Sequence, residues 1–244
     1  MRINKKIEIL DSTLREGEQT PGVSFTRSQK IEIAKMLDDF GVDFIELGHP
    51  AVSKDIYRTI KLLNSEPLTS EKIVHARLKK SDIDDAVNLG VPWIGLFFGT
   101  SKDYLHDKYN LDEKNALEMI KKSIEYAKRN GLKIRFTAED ASRTDIDFLI
   151  KIGKLAEKAG ADRFSLADTV GILYPDKVSE LVSALISQLK IPLHMHCHND
   201  FGLATANALQ AFQSGVKCVD VTINGLGERC GLPPLAEVTA ALDE

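Results

Sequence analysis

The sequence predicts an α/β protein built as a single (β/α)8 TIM barrel, and three observations carry that expectation. Apolar, strand-like runs alternate with amphipathic helical runs from one end to the other, giving eight strand-then-helix units in 244 residues, the size and order of that fold. Several helical runs stop at a glycine just before the next strand, at Phe40-Gly41, Leu89-Gly90, Asn130-Gly131, Ala159-Gly160 and Ser214-Gly215, as a left-handed C-terminal cap requires. Residues able to do chemistry gather where the strands end, which is the face that carries TIM-barrel sites. Those ends read DSTLREGEQ, ELGHP, HARLKK, FFGTS, RFTAEDASR, LADTVG, HCHND and NGLGER. An open doubly wound sheet is the rival, but no G-x-G-x-x-G opens the first helix.

Taken in order, the apolar run Ile7–Leu14 is the first strand. Helix Ser28–Phe40 follows, with Ile31, Ala34 and Leu37 at helical spacing among Lys30, Glu32 and Lys35, a period near 3.6. Strand Phe44–Gly48 leads to helix Ser53–Asn64, strand Ile73–Leu78 to helix Ser81–Leu89, and strand Trp93–Gly99 to helix Glu113–Asn130. The second half repeats the alternation with Lys133–Ala138, Asp145–Ala159, Arg163–Ala167 and Asp176–Leu189. It ends with strand Leu193–His198 after Pro192, helix Leu203–Ser214, strand Cys218–Ile223 and a helix from about Leu235. The connections are short and no Gly/Ser/Pro-rich linker divides the chain, so residues 1–244 read as one catalytic barrel domain. The repeat is structural and not a repeat of sequence.

Composition narrows the function. Hydrophobic residues make up 43% of the chain and charged residues 28%, with a formal net charge of -4, so a sizeable core can form. There is no basic block and no long apolar run, which argues against nucleic-acid and membrane partners. The N-terminal stretch MRINKKIEILDSTL has no h-region or small-residue cleavage site, so no signal peptide is expected. Cys197, Cys218 and Cys230 leave one cysteine unpaired under any pairing and form no C-x-x-C motif, which points to a reducing cytoplasm.

The stretch His194 to Asp200, HMHCHND, is the strongest local signal. Residues two apart on a strand share a face, so His196 and His198 present two imidazoles together while Met195 and Cys197 face away. Neutral imidazole is the commonest metal ligand; the competing reading is a hydrogen-bonded histidine pair at a strand end. A carboxylate after the first strand, Glu16, could complete a site with one oxygen and two nitrogen ligands. Such a site leaves open positions on an octahedral ion for substrate and water. Asp11 lies on the strand itself and reads as a supporting residue. His194, deeper on the same face, reads as a neighbour in the barrel interior.

Other strand ends add charge. Glu139 and Asp140 end the fifth strand, where one could act as a general base, and Asp168 and Thr169 end the sixth. Arg135 and Thr137 lie on the same face as Glu139. An arginine inside a barrel is costly unless paired, and its partner is either a carboxylated ligand or an internal carboxylate, Glu46 or Asp168. His75 ends the third strand, as a ligand contact or a core-edge histidine. Asn199 and Asp200 are expected to cap the helix that follows, Glu228 and Arg229 to pair locally, and Cys230 to be a poor nucleophile. Together these residues suggest a metal-assisted reaction on a small carboxylated substrate.

The motifs DSTLREGEQTPGVSF, LADTVG, HCHNDFGLATANAL and GLGERCGLPPLAEV resemble the signatures of the DRE-TIM metallolyase superfamily. The resemblance runs through essentially the whole chain and is to its 2-oxo acid acyltransferases, the homocitrate, 2-isopropylmalate and citramalate synthases. It implies a condensation in which the acetyl-CoA methyl adds to the keto carbon of a 2-oxo acid, followed by thioester hydrolysis. It also implies Glu16, His196 and His198 as ligands of a divalent metal ion (Mg2+, Mn2+ or Zn2+), with Arg15 polarising the oxo group and Glu139 helping to deprotonate the acetyl methyl.

LREGEQ, FFGTS with Lys102 and Tyr104, and RFTAED resemble homocitrate synthases most. On that resemblance Arg135, Thr137, Thr169 and His75 surround the distal carboxylate of 2-oxoglutarate. The alternatives are a 2-isopropylmalate or citramalate synthase or a paralogue for another 2-oxo acid, an acyl-CoA lyase, and a non-catalytic metabolite-binding barrel.

Leu232 stands where many relatives have an asparagine, and Gly95 where an aspartate assists lysine feedback, so that feedback is not expected. The resemblance further implies a homodimer and a C-terminal lid region, which this sequence, ending at Glu244, does not include.

Overall fold

Strand β1 (Glu8–Asp11) pairs in parallel with β2 (Phe44–Glu46) on one side and with β8 (Cys218–Val221) on the other, and the second pairing closes the sheet. In this computed structural model, which describes residues 7–243, all neighbours around the closed barrel other than β1 and β8 are consecutive in sequence. The remaining strands are β3 (Glu71–Arg77), β4 (Trp93–Gly99), β5 (Lys133–Glu139), β6 (Arg163–Asp168) and β7 (Leu193–Cys197). The helices are α1 (Arg27–Phe40), α2 (Lys54–Ser65), α3 (Lys80–Leu89), α4 (Glu113–Arg129), α5 (Ile146–Ala159), α6 (Pro175–Ile186), α7 (Ala204–Ser214) and α8 (Leu235–Asp243). The predicted TIM barrel is therefore the fold. The expectation that the N-terminus carries no signal peptide rests partly on residues 1–6, which lie outside the described residues.

Local chemistry explains the helix ends. Thr26 caps α1 in a capping box with Gln29, and Asp112 and Asp145 accept backbone N–H bonds at the starts of α4 and α5, satisfying donors a helix cannot pair internally. Gly41 (φ 95°), Gly90 (φ 68°), Gly160 (φ 105°) and Gly215 (φ 104°) close α1, α3, α5 and α7 in the left-handed region. At α4 the C-cap is Asn130, and the left-handed residue is Gly131, one position later.

Alternation along the strands divides the molecule into two cores. Ile45, Val74, Ile94, Leu96, Ile134, Phe136, Phe164, Leu166, Met195 and Val219 pack outward against the helices in one large apolar cluster. Leu10, Phe44, Ile73, Trp93 and Cys218 form a separate apolar layer. One or two residues further along these strands and their neighbours, the buried side chains are polar: Glu46, Arg135, Ser165, His194 and Asp220, each no more than 2% exposed. A barrel interior filled with ionisable groups is expensive unless every charge has a partner.

The first strand is shorter than Ile7–Leu14. It stops at Asp11 because the Ser12 carbonyl accepts the N–H groups of Arg15 (3.0 Å), Glu16 (2.7 Å) and Gly17 (3.2 Å). That tight turn folds Arg15 and Glu16 back over the barrel mouth. Helix α6 ends at Ile186 and not Leu189, since Gln188 and Leu189 both donate to the Leu185 carbonyl. Among the described residues, no helix is long and apolar enough to cross a membrane. Cys197 and Cys218 are buried, Cys230 is exposed, and all three are free thiols.

Candidate active site

A cavity of about 420 Å³ opens at the C-terminal ends of the strands. The nine residues expected to hold the metal, bind substrate or act in catalysis line it: Arg15, Glu16, His75, Arg135, Thr137, Glu139, Thr169, His196 and His198. They come from five different strand ends, so the closure of the barrel is what gathers them.

Glu16, His196 and His198 form one buried group, with a ligating atom from each lying within 4.8 Å of the others. The Nε2 atoms of His196 and His198 are 3.2 Å apart. Asp220, on β8, accepts a hydrogen bond from Nδ1 of His196 at 2.7 Å. The proton of a neutral His196 is thereby held on Nδ1, and the Nε2 lone pair turns toward His198 and Glu16. Burial, reinforced by the neighbouring His196, depresses the His198 pKa to about 3, so this imidazole stays neutral at ordinary pH. Burial would raise the Glu16 carboxyl, but the charge of Arg15, helped by the Glu228 N–H, outweighs it and lowers the group below its ordinary range. Two imidazoles and one carboxylate converging in a buried pocket fit a divalent cation. The donor set suits several metals.

Arg15 reaches across the mouth. Its Nε donates to Glu46 at 2.7 Å, and Nη1 pairs with Glu16 and reaches Gln19 at 3.3 Å. Arg135 is 2% exposed; its Nη2 donates to Glu46 at 2.8 Å and its Nη1 lies 3.5 Å from Asp220. Of the internal partners considered for Arg135, Glu46 is therefore present. Asp168 is not, because its carboxylate accepts the backbone N–H groups of Ile172 and Leu173. The Nε of Arg135 and the hydroxyl of Thr137 remain buried without a protein partner. Leaving such groups unpaired costs about 1–3 kcal/mol each, and both residues line the cavity.

His75 stacks on Phe97 with ring centroids 4.2 Å apart, and its Nδ1 lies 3.3 Å from Glu46. Burial and the nearby Arg15 lower its pKa to about 4, so it faces the cavity as a neutral ring. Glu139 has one carboxylate oxygen buried without a partner, and Lys108 stands 3.7 Å from the other. Burial raises the Glu139 pKa above the usual carboxylate range, and Lys108 only partly offsets this. The shift moves the group in the direction a general base needs.

The next residue, Asp140, takes a left-handed conformation (φ 62°) rare outside glycine. It is held there by its backbone N–H to the Thr169 hydroxyl at 2.8 Å and by its carboxylate on Arg143. Thr169 thus accepts one bond from the loop and keeps its own proton to donate.

Glu46 and Asp220 were not placed in the site by the sequence, apart from Glu46 as a candidate partner for Arg135. Their signal was a single acid inside an apolar strand, FIE and CVDV, which demands a buried partner without naming it. Asn199 caps α7 through the Ala204 N–H, as expected, whereas Asp200 does not: its carboxylate is engaged by Arg229. Arg229 also pairs with Glu228 at 2.6 Å. His194 sits in the interior against Asp220 at 2.6 Å.

Residues 6–244 match the family model described as HMGL-like. The homocitrate synthase of Sulfurisphaera tokodaii is 53% identical over 242 residues, covering 97% of this chain and 53% of that protein. Homocitrate synthase from Saccharolobus solfataricus is likewise 53% identical, over 97% of this chain and 52% of its own length. The chain spans about half the length of the curated relatives it matches. Among solved structures, hydroxymethylglutaryl-CoA lyase from Pseudomonas aeruginosa superposes with a TM-score of 0.87 at 20% identity, covering 98% of this chain and 85% of that one. HMG-CoA lyase from Brucella melitensis gives 0.85 at 20% identity, over 98% and 90%. At that identity these structures speak for the fold alone. A closed parallel barrel, a Glu-His-His cluster at its mouth and a family match over nearly the whole sequence agree, and the chain belongs to the HMGL-like family, within the DRE-TIM metallolyases.

Proposed function

We propose that this barrel carries the site of a homocitrate synthase-type reaction, the condensation of acetyl-CoA with 2-oxoglutarate to give homocitrate and CoA. The observation that carries the reading is the pair of buried, unpartnered donors, Arg135 Nε and Thr137 Oγ1, lining a cavity that also holds Arg15 and the Glu16–His196–His198 cluster. A substrate with a carboxylate at its distal end would pair those donors. An apolar tail would leave them buried and unsatisfied, a difference that discriminates strongly.

In this reading Glu16, His196 and His198 hold a divalent ion, which when bound supplies Lewis-acid polarisation of the 2-oxo acid. Arg15 donates to the oxo oxygen and stabilises the alkoxide that develops there. Glu139, raised in pKa by burial, takes a proton from the acetyl methyl. The resulting carbon nucleophile bonds to the keto carbon, and hydrolysis of the thioester then releases CoA. Arg135, Thr137, Thr169 and His75 grip the distal carboxylate. A homodimer and a covering lid region, both features of the resemblance, belong to the same proposal; water exclusion by a lid would favour the condensation.

The test is a substrate panel. With divalent metal and acetyl-CoA present, thiol release should be faster with 2-oxoglutarate than with 2-oxoisovalerate or pyruvate. A clear preference for 2-oxoisovalerate would overturn the assignment of Arg135.

A further inference from the structure

Resting on that reading of the cavity, we infer that Glu46 is a positioning residue that fixes the span between Arg15 and Arg135, and so the chain length of the 2-oxo dicarboxylate the site prefers. Glu46 is the last residue of β2 and is 0% exposed. Its two carboxylate oxygens are divided between the two ends of the cavity. Oε2 accepts from the Ser12 hydroxyl at 2.6 Å and from Arg15 Nε at 2.7 Å. Oε1 accepts from Arg135 Nη2 at 2.8 Å and lies 3.3 Å from His75 Nδ1.

Long arginine side chains carry considerable rotamer freedom, and two guanidiniums facing one cavity repel one another. One shared carboxylate removes both problems. It neutralises the repulsion and ties each guanidinium to a fixed point on the barrel wall. Charge-assisted bonds of this length are the strong ones. The arm at the oxo end and the arm at the distal end are therefore set by one rigid group, not by two independent flexible chains. Arg135 has little room to adjust on the other side. A Cβ added at Gly95 would stand 2.8 Å from Arg135 Nη2, so the guanidinium lies directly against the β4 backbone. A substrate one methylene shorter or longer must then misplace one of its carboxylates.

The experiment compares three homologues, oxaloacetate, 2-oxoglutarate and 2-oxoadipate, by calorimetric titration into the Mn2+-loaded full chain. The wild type should prefer one length by about tenfold or more. Glu46→Gln is similar in size but places an N–H donor against one of the arginines. It should weaken the preferred acid by about tenfold and bring the three affinities to within about threefold of one another. Glu46→Asp keeps the charge, draws both guanidiniums toward β2 and should move the preference toward the longer acid.

The acid titrations are run at saturating Mn2+, because Glu46 shares Arg15 with Glu16 of the ligand cluster and its replacement can shift metal affinity as well. A purely structural residue would lower the melting temperature and weaken all three acids alike, leaving their ratios at the wild-type values, and that result overturns the inference. If Glu46→Gln does not fold, unchanged length preference in Glu46→Asp overturns it equally. A wild type that prefers 2-oxoisovalerate to all three dicarboxylates instead refutes the function proposed above, a distinguishable failure.

Discussion

Asp220 holds His196 by its Nδ1 at 2.7 Å and His194 by its Nε2 at 2.6 Å, one carboxylate oxygen to each ring. Burial alone would raise the Asp220 pKa, but His194 and Arg135 hold it far below the usual carboxylate range. An ionised acceptor thus decides which nitrogen of His196 faces the cavity. Replacing Asp220 by Asn leaves one carbonyl oxygen for two rings and removes the charge. Metal affinity should fall by about 10–100-fold. Titration of Mn2+ into the wild type and Asp220→Asn reads this directly; equal affinities would mean that Asp220 only fills space.

Arg135 bears on selectivity more than on the metal. Arg135→Lys retains a cation near Glu46 but loses the planar fork and the free Nε. Binding of 2-oxoglutarate should weaken by about tenfold or more while Mn2+ binding changes little. Arg135→Ala should in addition lower stability by about 3–5 kcal/mol, because Glu46 is left buried with one partner fewer. Thermal melts beside the two titrations separate the effects. If metal and oxo acid binding fall together in Arg135→Lys, the residue is structural.

His75 makes stability depend on pH in a stated direction. Its folded pKa is pushed down to about 4 by burial and by Arg15, whereas an unfolded histidine titrates near 6.5. The unfolded chain therefore takes up a proton that the folded chain refuses throughout this window. Stability from this group is fully present above about pH 6.5 and is lost as the pH falls toward about 4. Melting temperatures measured from pH 7.5 to 4.5 should fall less steeply in His75→Gln than in the wild type. Parallel profiles would show that His75 is not the buried neutral ring described here.

The barrel was legible because its signals are local. Apolar runs, helical spacing in Ile31, Ala34 and Leu37, and the glycines at 41, 90, 131, 160 and 215 each act within one element. The clustering of Glu16, His196 and His198 followed from period two on β7 and from the end of β1. What stayed hidden were the internal partners, because they are distant in sequence. Glu46 meets Arg15 across 31 residues and Arg135 across 89, and Asp220 meets His196 across 24. A lone acid on an apolar strand announces that it needs a partner, but only the closed barrel shows which one. The turn at Ser12 was missed for a different reason. The apolar run continues to Leu14, and hydrophobicity alone does not reveal that the Ser12 carbonyl turns the chain.

A metal-centred pocket that selects a 2-oxo acid by its distal carboxylate should reveal both dependences in one set of titrations. Calorimetric titration of 2-oxoglutarate and 2-oxoisovalerate into the chain, each with and without Mn2+, tests it most directly. The expected result is Mn2+-dependent binding of 2-oxoglutarate at least about tenfold tighter than that of 2-oxoisovalerate. Equal affinities for the two acids, or binding of 2-oxoglutarate that is indifferent to the metal, would contradict it.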